Sequence, residues 1–189
     1  MEQTVREVIQ DTIDVHEALL DVSGEIETVA RALIEAVRSE KCIYVMGNGG
    51  SAADSQHLAA ELVGSFEKER DPMPCHAFTT DSSILTSVGN DYGVEEVFVR
   101  QVRAFVGAGD VVIGISTSGN SPNVLKAMEA ARERGAVTVG MTGRGGGSLA
   151  ELCRHCLKAP SDHTPRIQEA HQTIIHILCR LVEDTIFPG

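Results

Sequence analysis

The stretch Gly109-Asp-Val-Val-Ile-Gly-Ile-Ser-Thr-Ser-Gly-Asn-Ser-Pro-Asn-Val124 decides the fold. Val111–Ile115 is apolar at both parities, the pattern of a strand covered on both faces in a parallel sheet. The run ends in a loop dense with hydroxyls, Ser116-Thr117-Ser118-Gly119-Asn120-Ser121. Ser121-Pro122 then opens a helix expected to reach about Arg134, with Ser at the N-cap and Pro at the first helical position. Gly135 closes it. Strand, polar loop and helix in that order make one unit of a doubly wound α/β fold.

The same unit recurs in both directions. Upstream, Cys42–Met46 is a strand, Gly47-Asn48-Gly49-Gly50 a loop, and 51–66 a helix. Cys75–Phe78 is a weaker strand, followed by helical stretches at 82–88 and 94–106. Downstream, Ala136–Met141 is a strand, Thr142–Gly147 a loop, and 153–158 a short edge strand. A long helix over 165–186 closes the chain. Two helices precede the first strand: apolar spacing from Val8 to Leu20 breaks at Ser23-Gly24 and resumes from Ile26 to Val37. The expected fold is a doubly wound, parallel, five-stranded sheet flanked by helices, with two N-terminal helices and a long C-terminal helix. We expect a single domain over 1–189, with a helical segment at 1–40 and an α/β sandwich with its closing helix at 41–189.

Composition narrows the function classes. With 189 residues, the chain fits one domain. Its net charge of −11, lack of any dense basic run and lack of Trp argue against a nucleic-acid ligand. No apolar stretch approaches the ~18 residues of a membrane span. The acidic start, Met1 to Glu7, has no signal-peptide apolar region. No membrane partner is therefore expected. The five cysteines, Cys42, Cys75, Cys153, Cys156 and Cys179, are expected to stay reduced in a cytoplasmic protein. The Cys153–Cys156 spacing reads as structural thiols beside an edge strand.

In doubly wound sheets, ligands sit beyond the carboxyl ends of the strands, at helix N-termini. The four hydroxyls of Ser116, Thr117, Ser118 and Ser121 meet such an N-terminus, so a phosphate monoester is the fitting ligand. The loop is neither a Walker A motif nor a nucleophile elbow. Gly47–Ser51 lets backbone approach a ligand but lacks the dinucleotide pattern. His57 and Glu61, four apart on the next helix, share a face; taken alone they read first as an ordinary surface pair, ahead of a base with its partner or two metal ligands. Gln168, Gln172 and His176 line one side of the last helix, which an amphipathic helix alone would also explain. Asn90-Asp91 reads as a cap or as a contact for sugar hydroxyls.

Four ordered blocks carry a resemblance: GNGGSAADSQHLAAEL at 47–62, TTDSSILTSVGNDYG at 79–93, GDVVIGISTSGNSPNV at 109–124 and RIQEAHQTIIH at 166–176. They are similar to the sugar isomerase (SIS) domain family over essentially the whole chain. The likeness is closest to members that isomerise sedoheptulose 7-phosphate. The resemblance implies an aldose–ketose isomerase that makes D-glycero-D-manno-heptose 7-phosphate through an enediol, the first step of nucleotide-activated heptose synthesis. It implies Glu61 and His176 as the catalytic pair, Glu61 as base and His176 as acid. Ser51, Ser116, Thr117, Ser118 and Ser121 match hydroxyls that contact phosphate and substrate. Asn48, Gly49, Gly50, Asn90 and Asp91 match sugar-contacting positions. His57, Glu61, Gln168 and His176 match a zinc site, and Gln168 also a substrate contact. The family implies a homotetramer in which the leading helices assemble the subunits and Glu61 meets His176 across them. It also implies a cytoplasmic enzyme serving lipopolysaccharide or another heptose-containing polymer. The alternative is a non-catalytic SIS adaptor, of the type that binds the replication initiator, or a sugar-phosphate sensor. One departure stands at Ser65, where relatives carry Arg; Lys68 and Arg70 are the candidates to replace that charge.

Overall fold

The apolar run at 111–115 becomes the middle strand of the sheet. The computed structural model describes residues 1–188. Its strands are β1 (Ile43–Gly47), β2 (Cys75–Ala77), β3 (Val111–Ile115), β4 (Val137–Thr142) and β5 (His155–Lys158). All pair in parallel, in the order β2-β1-β3-β4-β5. Val111, Ile113 and Ile115 enter one core with Ile43, Val45, Val139 and Met141. Val112 and Met46 enter a second core on the other face. Both faces are thus covered, which is why these strands show no polar alternation.

The helices divide between the faces. The first core is roofed by α2 (Ser23–Arg38), α3 (Gly50–Val63) and α8 (Thr164–Ile186). The second is roofed by α4 (Ser82–Tyr92), α5 (Val99–Phe105), α6 (Pro122–Glu133) and α7 (Gly147–Leu152). Helix α1 (Glu2–Ala18) lies outside this sandwich and buries none of its residues. It is tied to α8 by polar contacts: the Arg166 guanidinium donates to Val8 O (2.8 Å), and Thr12 Oγ1 donates to Glu169 (3.0 Å).

The strand order places a topological switch between β1 and β3. The chain leaves β1 for α3 on one face and leaves β3 for α6 on the other. A crevice opens between those two exits, where such sheets bind their ligands.

Several elements differ from the sequence expectation. Helix α4 runs past Gly89 to Tyr92, started by Asp81, whose carboxylate accepts from Ile84 N (2.9 Å), and ended by Gly93. The stretch 94–106 is broken into a 3-10 turn (Val94–Glu96) and α5, because Val97 and Phe98 between them both turn into the second core. Helix α7 fills 147–152, between the expected glycine loop and edge strand, where no element was expected; six residues are too few to show a helical period. Helix α3 stops at Val63, three residues early, and β5 begins at His155.

Gly114 sets how closely α6 approaches the sheet. A Cβ there would stand 2.9 Å from Val124 Cγ1 and 3.0 Å from Met128 Sδ, both on α6 and both fully buried. Gly114→Ala should overpack this contact by about 1–3 kcal/mol and lower the melting temperature by roughly 2–10 °C. A thermal melt checks this; an unchanged midpoint would mean that α6 is free to move outward.

Candidate active site

The crevice is built from two loops that are stitched together. Asn48, leaving β1, and Asn123, in the first turn of α6, form a reciprocal amide pair in which each Nδ2 donates to the other's Oδ1 at 2.9 Å. Gly49 holds the turn before α3 at φ 55°, a conformation few residues but glycine adopt. Ser51, the second residue of α3, is buried. The two loops that the sequence placed in one site are adjacent.

The hydroxyl loop is ordered by its own contacts. Ser116 Oγ lies 2.9 Å from Ser121 Oγ and 3.4 Å from Ser118 Oγ. Ser116 is buried at the floor, Thr117 and Ser121 are half-buried, and Ser118 is exposed at the rim. Ser121 holds the N-cap position as expected, but its side chain makes no capping bond. Asn123 Oδ1 takes the Val124 amide instead, at 3.0 Å, which leaves the Ser121 hydroxyl facing Ser116. Gly119 (φ 67°) packs so tightly on the next loop that a Cβ would overlap Gly146 O. Asn120 fastens the same two loops, its Oδ1 accepting from Ser148 N at 3.0 Å. Neutral hydroxyls at the start of a twelve-residue helix make a cradle suited to an anion.

A second cluster sits near the far end of α3. His57 and Glu61, one turn apart, face His176 on α8. The Nε2 atoms of His57 and His176 are 2.8 Å apart, and His57 Nε2 is 3.5 Å from Glu61 Oε1. One ligand atom from each of the three falls within a 4.8 Å group. A zinc ion held tetrahedrally by nitrogen and oxygen has donor–donor edges of roughly 3.3 Å, so these three side chains fit such an ion with small adjustment. The convergence occurs within one chain. The implied meeting of Glu61 and His176 across subunits is therefore not needed for the pair to form.

Gln168 is elsewhere. Its amide packs against Gly50, at the cradle end of α3, where a Gly50 Cβ would overlap it. Asn90 and Asp91 lie on the exposed last turn of α4 and bond each other, Asn90 Nδ2 donating to Asp91 Oδ1 at 2.8 Å. Neither candidate for the Ser65 charge points toward the cradle. Arg70 is buried against Glu183 (2.9 Å), and Lys68 binds Asp184 (2.8 Å) and Phe187 O (3.1 Å).

Sequence reasoning missed Asp54. It is buried on α3, one turn before His57; its Oδ1 accepts from Gln172 of α8, and its Oδ2 has no partner. Burial pushes its carboxyl up, partly offset by the Gln172 bond and by His57. Its only sequence signal was an acid at i−3 from His57, which any surface helix also shows. Beneath the cluster, the Cys179 thiol is pushed up to about 12 by burial and then by the Glu61 charge. A groove of about 830 Å³ lies away from both clusters, between α2 and α8, walled by Ile26, Ala30, Ile34, Ile177 and Leu181.

Comparison with known proteins gives this geometry a family. Residues 9–143 match a SIS domain. The phosphoheptose isomerase of Pelobacter propionicus is 60% identical over 159 residues, covering 84% of each chain. That of Aneurinibacillus thermoaerophilus is 50% identical over 190 residues, covering 99% of this chain and 96% of its own. The structure of phosphoheptose isomerase GmhA from Neisseria gonorrhoeae superposes with a TM-score of 0.91 at 40% identity, covering 97% of this chain and 98% of that one. The fold, the ordered motifs and these relatives agree: the chain belongs to the SIS domain family and, within it, to the phosphoheptose isomerases, enzymes that isomerise phosphorylated heptoses.

Proposed function

We propose that this protein interconverts sedoheptulose 7-phosphate and D-glycero-D-manno-heptose 7-phosphate. The observation that carries the reading is the convergence of His57, Glu61 and His176 from two helices, on a fold that also builds a hydroxyl cradle. Ser51, Ser116, Thr117, Ser118 and Ser121 hold the phosphate, with Asn48, Gly49 and Gly50 along the sugar and Asn90 and Asp91 at the outer edge. Glu61 moves the proton between C1 and C2, and His176 serves the oxygens as acid, through an enediol. Fixing the phosphate fixes the reacting carbons relative to Glu61. His57, Glu61, Gln168 and His176 are the residues that would hold zinc. When bound, the ion would polarise substrate oxygens.

The two clusters stand at opposite ends of α3. From Gly50 to Glu61 the helix rises roughly 16 Å, more than the carbon chain of a heptose spans. We therefore propose that the cradle and Gln168 of one subunit are completed by the His57–Glu61–His176 trio of another, in a homotetramer. Two features support assembly: the apolar groove between α2 and α8, and Val5, Val8, Ile9 and Ile13, which stay exposed on α1. Among the described residues, no helix is long and apolar enough to cross a membrane. We place the enzyme in the cytoplasm, where its five unpaired thiols stay reduced, at the head of heptose supply for lipopolysaccharide or a related polymer.

Glu61→Gln should lower kcat by at least roughly 100-fold while sugar-phosphate binding persists; incubation with sedoheptulose 7-phosphate and detection of the aldose measures it. Near wild-type turnover would sink the assignment of the base. A purified wild-type protein that binds the sugar phosphate without converting it would be the non-catalytic adaptor or sensor instead. Shared sites make a further prediction. Ser116→Ala/Ser121→Ala subunits and Glu61→Gln subunits, each inactive alone, should regain turnover when unfolded and reassembled together. No recovery in verified mixed oligomers would place cradle and trio in the same subunit's site.

A further inference from the structure

Two turns beyond His176 on α8, a buried ion pair reaches back to the end of α3. We propose that Arg70 and Glu183 form a positioning clamp that sets the geometry of the Glu61–His176 pair. This inference rests on the reading of those two residues given above.

Helix α3 ends at Val63, and its last carbonyls need donors from outside the helix. Arg70 supplies them. One terminal nitrogen donates to Glu61 O at 2.8 Å. The other donates to Leu62 O (2.9 Å), Asp71 O (3.1 Å) and Gly64 O (3.2 Å). Its Nε donates to Glu183 Oε1 at 2.9 Å, and both side chains are 2% exposed. The guanidinium therefore grips the backbone of the catalytic carboxylate itself.

Glu183 holds the other member. Besides Arg70, its carboxylate accepts from Glu67 N (2.9 Å) and Phe66 N (3.2 Å). Phe66 turns its ring onto His176, with centroids 5.6 Å apart. One carboxylate thus fixes the aromatic wall beside His176, while its partner fixes Glu61. Burial alone raises the Glu183 carboxyl, but the Glu67 and Phe66 amides and Arg70 more than offset it, so the group lies below the usual carboxylate range and stays ionised at neutral pH.

The arrangement suits position better than bulk stability. Burying two charges carries a desolvation penalty that apolar side chains of similar size would avoid. What apolar side chains lack is direction: five donors and a forked acceptor define where a loop and a helix end stand. The clamp also accounts for Arg70, whose buried guanidinium is committed to Glu183 and to the end of α3 rather than to a phosphate.

The test uses Glu183→Gln, Arg70→Lys and the milder Phe66→Leu, which leaves the ion pair intact. Each is assayed with sedoheptulose 7-phosphate well below its melting temperature, beside Glu61→Gln. The clamp predicts that folded, correctly assembled variants lose kcat roughly 10- to 100-fold, less for Phe66→Leu, with KM within about twofold, because misplacement weakens the reacting geometry rather than binding. Full kcat per folded site, with only the melting temperature lowered, would assign the pair a purely structural role and overturn the proposal. So would a raised KM at unchanged kcat. Where one of Glu183→Gln and Arg70→Lys fails to fold, the other decides by the same two readouts, and Phe66→Leu tests the link from the Glu183-held loop to His176. If Glu61→Gln stays active, the catalytic reading itself fails; if it is inactive while the clamp variants keep their kcat, only the clamp fails.

Discussion

The parallel packing of α3 along α8 is the constraint on which the site depends. The two helices run side by side in register: Gly50 against Gln168, Asp54 bonded to Gln172, His57 facing His176, and the segment after α3 bonded to Glu183. Beyond the close packing of Gln168 on Gly50, each step is a polar contact above the apolar floor that Leu58, Leu62, Ile174, Ile175 and Leu178 provide. The floor supplies burial without direction. The polar contacts define register, since sliding one helix by a turn would leave Asp54 and Glu183 buried and unpaired. Any function that needs His57, Glu61 and His176 together is therefore written into the pairing of two helices more than a hundred residues apart in sequence.

That separation explains what could be read in advance. Strands at 43–47, 111–115 and 137–142 were legible because covered parallel strands are continuous apolar runs. The cradle was legible because its hydroxyls are contiguous and lie between a strand and a Pro-started helix. His57 and His176 were not, because each sits on a helix whose local pattern is ordinary. Only tertiary contact distinguishes them, and only the resemblance to relatives stood in for that contact. Asp54 was hidden for the same reason. Helix α7 and the break at Val97-Phe98 were hidden for another: both are short, and tertiary burial overrides local periodicity.

The charge balance bears on how an anion is held. The chain carries −11 overall, and Lys68 and Arg70 are committed near the end of α3. Ser65 is exposed there and brings no charge. The proposed cradle thus offers an anion neutral hydroxyls and the dipole of α6. Such a site binds through geometry, and geometry is what Asn48–Asn123 and Gly119 enforce by fastening three loops together. Lys158 reaches the loop that supports Gly119: its Nζ would stand 3.3 Å from a Cβ at Gly146.

Assembly and chemistry then become one problem. The hydroxyl cradle and the titratable trio lie at opposite ends of a fourteen-residue helix, and the shared-site proposal joins them across subunits. A second copy can supply the missing half, and the surfaces that would bring it there are those the single chain leaves apolar: the outer face of α1 and the groove between α2 and α8. Helix α1 contributes no fully buried side chain to its own domain; Val15 packs partly buried against the first core, while Val5, Val8, Ile9 and Ile13 stay exposed. In the proposed assembly these exposed residues are the contact surface. In the proposed assembly the leading helices set which trio faces which cradle, and the proposed Arg70–Glu183 clamp acts on that same trio.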